Sequence, residues 1–204
     1  GTTVYENAEP LTGKHPVVLL SHGWGGNFAR MSWLASGLVE RGAIVVAVNH
    51  PNSTTGDLDN LDALNHWTRA QDLTAALDRV LQDPQFKPVI DAARIYAAGF
   101  SYGGWTALSL GGLEGQRDGL DKFCSEGATV TDHCRDILKA GIKISELDGE
   151  AWQASYTDRR IAGVAAIDAA LSWGLTVADT DQLDVPVLLI GLGDRSDRLH
   201  ATDT

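Results

Sequence analysis

Residues 99 to 104 read Gly-Phe-Ser-Tyr-Gly-Gly, directly after the apolar run Arg94-Ile95-Tyr96-Ala97-Ala98 and directly before a helix-like stretch. Ser101 therefore sits at a strand-to-helix corner. A serine pushed to the tip of a sharp, strained turn needs small neighbours two residues either side, and Gly99 and Gly103 supply them. A hydroxyl presented in this way is a nucleophile for acyl transfer, and that chemistry also needs two amide donors aimed at a developing oxyanion. The loop Ser21-His22-Gly23-Trp24-Gly25-Gly26-Asn27 follows the first apolar run, and its glycines expose backbone N–H groups. Trp24 N–H is the first candidate donor, and Tyr102 N–H, next after the nucleophile, is the second. The plainer alternative is a simple glycine turn. A phosphate cradle is disfavoured, because no Gly-Lys-Ser/Thr follows.

A serine nucleophile needs a base and an acid to orient it. Two aspartates compete for the acid: Asp168 ends the run Gly163-Val164-Ala165-Ala166-Ile167, and Asp194 follows Val187-Leu188-Leu189-Ile190 in Gly191-Leu192-Gly193-Asp194. Either strand end can present a carboxylate to an imidazole Nδ1. Asp168 is preferred, since Asp194 starts a charged segment; the other is then a solvated or capping aspartate. The histidines fit less well. His22 belongs to the glycine loop and more often braces such a turn than transfers protons. His50, in Val48-Asn49-His50-Pro51, could line the pocket or contact a leaving group, with structural hydrogen bonding the commoner role. His15, His66 and His133 read as surface residues. Trp24, Tyr102 and Trp105 flank the two motifs and Trp173 follows Asp168 by five residues, so these aromatics are candidates for an apolar acyl or alcohol pocket, or are simply core.

The elements that must hold these residues are visible as five apolar runs: Pro16 to Ser21, Ala43 to Asn49, Arg94 to Phe100, Ile161 to Ile167 and Val185 to Gly191. They lack polar alternation, as strands of a parallel sheet covered on both faces do. Helical spacing separates them, over Ser32 to Arg41 and over Arg69 to Leu81, where Leu73, Leu77, Val80 and Leu81 recur three and four apart. Alternation of this kind implies a doubly wound α/β sheet in one domain over residues 1 to 204. Ligands gather at the carboxyl ends of such strands, where Ser101, His22, His50, Asp168 and Asp194 lie. The stretch from about 113 to 160 breaks the alternation and reads as a cap-like excursion over that edge.

With 204 residues and 44 % hydrophobic composition, the chain can bury one sizeable core. Its apolar runs fall well short of the roughly 18 residues that a membrane span requires. A net charge of −11 and the lack of any basic stripe argue against nucleic acid as a partner. No His and Cys spacing fits a metal site. The two cysteines, Cys124 and Cys134, are ten residues apart in one polar segment, a separation that suits a local disulfide and so a secreted or periplasmic location, unless both are free thiols.

Taken together, Ser-His-Gly-Trp-Gly-Gly, Gly-Phe-Ser-Tyr-Gly-Gly and Val-Ala-Ala-Ile-Asp-Ala-Ala resemble the α/β-hydrolase superfamily. Within it the likeness is to the branch of dienelactone hydrolase-like esterases and secreted platelet-activating factor acetylhydrolases. The resemblance implies a cofactor-free serine esterase with a Ser-Asp-His triad, acting on a small-molecule ester or lipid. A serine in place of the dienelactone hydrolase cysteine favours ester or lipid-acetyl cleavage. The superfamily order is Ser, acid, then His on a loop after a further strand. His200 is the only histidine after either acid, and six residues beyond Asp194 leave no room for that strand. The expectation is therefore that the chain lacks the fold's last strand and helix, and that a second polypeptide segment carries the catalytic His. An amidase or peptidase with the same triad, or a non-catalytic ligand-binding homologue, are the alternatives.

Overall fold

The computed structural model describes residues 5–127 and 131–192. Five parallel strands form its central sheet: β1 (His15–Ser21), β2 (Ile44–Ala47), β5 (Ile90–Phe100), β6 (Ile161–Ile167) and β7 (Val187–Ile190), in the spatial order β2-β1-β5-β6-β7. These are the five apolar runs of the sequence, with ends shifted by a few residues. A two-stranded hairpin, β3 (Ser53–Thr54) and β4 (Asp57–Leu58), stands apart beside the carboxyl end of β1.

Alternate residues of each strand serve different faces. Val17, Leu19 and Ala97 join Leu73 and Leu77 of α2 (His66–Gln82) and Trp105 of α3 (Tyr102–Leu110) in the larger core cluster. Val18, Leu20 and Ala98 face α1 (Ser32–Val39) through Leu34, Ala35 and Leu38. The continuous apolar runs are thus explained by helices on both faces. Among the described residues, coverage stops at one edge. Leu188 and Ile190 of β7 pair with Ala165 and Ile167, on the α1 side of the sheet, and remain 56 % and 41 % exposed.

The excursion is more regular than its weak periodicity suggests. It holds α4 (Arg117–Gly127), α5 (Asp132–Lys139) and α6 (Gly149–Gln153), each too short for a periodic stripe to stand out in the sequence. Cys124 and Cys134 are joined at an S–S distance of 2.03 Å. The disulfide links two helices, and both cysteines are buried. No described helix is long and apolar enough to cross a membrane.

Closing a ten-residue separation removes unfolded-chain entropy worth about 3 kcal/mol. Replacing both cysteines by serine is expected to lower stability by roughly that amount, read as a shift in the denaturant midpoint.

Candidate active site

The site begins with three chain segments packed at backbone contact. Ser101 follows β5 with φ 54° and ψ −118°, a left-handed conformation that costs energy for any residue with a side chain. Four hydrogen bonds hold it there. Its N–H donates to Ile167 O at 2.8 Å, and its carbonyl accepts from Gly104, Trp105 and Ala170 N–H at 2.8, 3.2 and 3.1 Å. The flanking glycines are required by space: a Cβ on Gly99 would lie 2.1 Å from Gly103 O, and one on Gly103 would lie 2.1 Å from Ser21 O.

The glycine loop after β1 is equally constrained. Gly26 N–H donates to Gly23 O at 3.0 Å, and Gly25 takes φ +59°. The β3 hairpin pins the loop from outside, with Thr54 Oγ1 donating to Gly26 O at 2.8 Å and Thr55 Oγ1 to Gly25 O at 2.8 Å. Among the described residues, no hydrogen-bond acceptor takes the N–H of Trp24 or of Tyr102. Both residues border, with Gly23 and Ser101, a cleft of about 630 Å³ whose far wall is α5, through His133, Asp136, Ile137 and Ala140.

Beneath the loop lies a buried polar network that the sequence reading did not anticipate. His50 is fully buried; its Nδ1–H donates to Asp72 Oδ2 at 2.9 Å, and its Nε2 accepts from the Ser21 hydroxyl at 2.9 Å. The His50 backbone N–H donates to His22 Nε2 at 3.3 Å, which leaves His22 Nδ1–H to donate to Gly23 O at 2.7 Å. Every bond in this chain is satisfied with both imidazoles neutral. The electrostatics agree. Burial, then the nearby Arg69 charge, holds His50 well below the ordinary range, and burial is the main reason His22 falls to about 4. Asp72 is pushed up to about 6 by burial, against the pull of Arg69.

Ser21, His50 and Asp72 thus have the connectivity of a Ser-His-Asp triad, with the Ser21 hydroxyl and the His50 ring fully buried and Asp72 half-buried at the far end. They brace the loop. Neither histidine is free to take a proton from Ser101, since each Nε2 lone pair already accepts a hydrogen bond.

The structure groups Ser101, Trp24 and Tyr102 around one cleft, and disperses several other candidates. Of the two readings open for each, His50 and Trp105 take the interior one and do not line the pocket; both are 0 % exposed, His50 in the hydrogen-bond network and Trp105 among core side chains. His22 borders a neighbouring cavity with Arg30 and Trp33. Trp173 stacks on Phe123 at 6.0 Å and stands 5.4 Å from the His133 ring, behind the cap wall. His66, read as a surface residue, is buried against Trp105 and Trp152, and His133 lines the cleft. Asp168 follows β6, one position beyond the Phe100–Ile167 pair and therefore beside Ser101 in register. Its carboxylate is exposed, accepts from Leu192 N–H at 3.3 Å and borders a separate cavity under β7. Asp194 and His200 lie outside the described residues. Arg69 and Asp72 were missed, although a charge at position 69 on the Leu73–Leu77 stripe of α2 was a legible signal. Among the described residues no group of three or more His, Cys, Asp or Glu side chains could hold a metal ion.

No family model matches the chain. Over 112 residues it is 31 % identical to Cutinase 2 of Thermobifida cellulosilytica, covering 54 % of this chain and 38 % of that protein. It is 31 % identical over 112 residues to Cutinase cut1 of Thermobifida fusca, 32 % of that protein's length. The match thus spans about a third of these curated relatives. Among solved structures, a ferulic acid esterase from Streptomyces cinnamoneus matches with a TM-score of 0.57 at 22 % identity, over 94 % of this chain and 47 % of that one. The Pyrococcus horikoshii acylaminoacyl peptidase gives 0.54 at 18 %, over 91 % and 34 %. At such identities the likeness is one of fold: the chain has the α/β-hydrolase architecture.

Two expectations follow from the geometry. Gly103→Ala places a methyl inside the Ser21 backbone, a clash that repacking cannot relieve, so the variant should lose at least the roughly 1–3 kcal/mol of an overpacked core in a denaturant melt. Acid should also destabilise the protein. The unfolded chain protonates its histidines near 6.5, whereas His22 and His66 stay neutral in the fold down to about 4, and His50 also resists. Stability present above pH 6.5 is therefore lost between 6.5 and 4, at up to roughly 3 kcal/mol per histidine. Asp72, raised from 3.8 to about 6, acts in the opposite sense over its own interval and offsets about one histidine. The thermal midpoint should fall over that pH range; a flat profile would show that these side chains are not buried neutral.

Proposed function

We propose that the protein is a serine hydrolase that cleaves carboxylic esters of small molecules or lipids through an acyl-enzyme on Ser101. The observation that carries this reading is the strained Ser101 elbow on a cleft of about 630 Å³ that Trp24 and Tyr102 also line, their N–H groups without an acceptor among the described residues. An imidazole removes the Ser101 proton as Oγ attacks the acyl carbon. The oxyanion then accepts from the Trp24 and Tyr102 amides, and each such donor is worth about 2.7–4 kcal/mol in the transition state. The alcohol leaves with the proton held by the imidazolium, and water attacks the acyl-enzyme by the same route in reverse.

The base is proposed to come from outside the described residues, although His133 also borders the cleft; the reading rests on the committed lone pairs of His22 and His50 and on the apolar face bared by Leu188 and Ile190. The triad acid is Asp168 or Asp194. Asp168 has the favourable register beside Ser101, while its bond to Leu192 N–H and its separate cavity turn it away from the cleft. The buried disulfide supports an oxidising, extracytoplasmic location.

The native full-length protein should be labelled by a fluorophosphonate at Ser101 and should hydrolyse p-nitrophenyl esters, and Ser101→Ala should abolish both. A native protein that leaves the probe unreacted is a binding module, and one that turns over only anilides is an amidase. Of Asp168→Asn and Asp194→Asn, the variant that removes the triad acid should lower kcat by about 10⁴-fold, and the other should leave it within a few-fold.

A further inference from the structure

One charged side chain touches both halves of the candidate oxyanion site. Arg69 projects from α2 into the interior and is 1 % exposed. Its Nη2 donates to the carbonyl of His22 and to Ser21 Oγ at 3.1 Å, so it grips the peptide immediately before the Gly23–Trp24 amide. Its Nη1 donates to Ser53 Oγ at 2.6 Å, at the start of the hairpin whose threonines hold Gly25 and Gly26. Its Nε donates to Thr106 Oγ1 at 3.2 Å, and that hydroxyl donates in turn to Tyr102 O at 3.0 Å. The guanidinium carbon also lies 4.5 Å above the Tyr102 ring, which is itself 5.3 Å from the Trp24 ring and anchored through its hydroxyl to Ala63 O at 2.6 Å.

We propose that Arg69 is a positioning residue that fixes the separation and aim of the Trp24 and Tyr102 amides, a role that rests on the hydrolase reading above. The residues it contacts are selective: the loop that carries one donor, the hairpin that pins that loop, and the helix turn that carries the other. A planar fork with five donors can serve acceptors on three elements at once and stack on an aromatic face, whereas an ammonium group is a point charge that can do only part of this. Bonds from a charged donor are also stiffer than neutral ones, which suits a hole that must not relax as charge develops. The buried charge has its counterpart in Asp72, reached through Ser21 and His50.

Arg69→Lys in the native full-length protein tests the role. Kinetics are normalised to sites titrated at completion by the fluorophosphonate, so that any loss of folded protein is removed from the comparison. The expected result is a fall of about 10²-fold in kcat per titrated site with KM within twofold, the pattern of an interaction felt in the transition state. Unchanged kcat per site, or an equal loss spread into KM, overturns the positioning role and leaves the hydrolase reading intact. A native protein that neither labels at Ser101 nor hydrolyses esters removes both. If Arg69→Lys does not fold, Ser53→Ala decides: it deletes one acceptor of the fork, and should lower kcat several-fold at constant KM, whereas full kcat counts against the proposal.

Discussion

The approach of Gly103 to the Ser21 carbonyl is the contact on which the site depends. It brings the end of β1, the end of β5 and the first turn of α3 within backbone distance, and no side chain fits between them. Ser101 is strained because this junction leaves the chain no other way to pass from strand to helix. The strain is held by four backbone hydrogen bonds, two of which reach across to the neighbouring strand β6 and the turn after it. A loop of ordinary residues would relax. This one cannot, so Ser101 and the glycine loop keep a fixed relation to each other.

Below that junction the protein places charge where a core of this size usually has none. Arg69, Asp72, two neutral histidines and two serine hydroxyls form one connected hydrogen-bond network. Leaving any of these groups unpaired would be costly, since a buried polar atom without a partner keeps its full desolvation penalty. The arrangement therefore has few alternatives. With both imidazoles neutral, each Nε2 lone pair is engaged inside this network, which braces the loop.

The cap adds a second level of control over the cleft. α5 supplies one wall, and a disulfide joins it to α4. Residues 133, 136, 137 and 140 recur at helical spacing, so one face of a short helix presents polar and apolar groups together to the region above Ser101. The corner that carries Ser101 is thus held by the sheet, while the opposite side of the cleft is supplied by the helical excursion.

Much of this was legible in the residues alone. Five apolar runs without alternation, helical spacing between them and two glycine motifs at strand ends specify a parallel α/β sheet with Ser101 at a corner, because strand burial and turn sterics are local properties. The short helices of the cap were not legible, since their apolar faces are only a turn or two long. His50 and Trp105 were left open between pocket and interior, and His66 was read as a surface residue, for a different reason: burial depends on what packs against a side chain, and the partners come from segments up to 86 residues away. The same is true of Arg69. Its position on the apolar stripe of α2 marks it as unusual, but only the assembled fold brings Ser21, Ser53 and Thr106 to its fork, because hydrogen bonds between distant segments have no signature in sequence spacing.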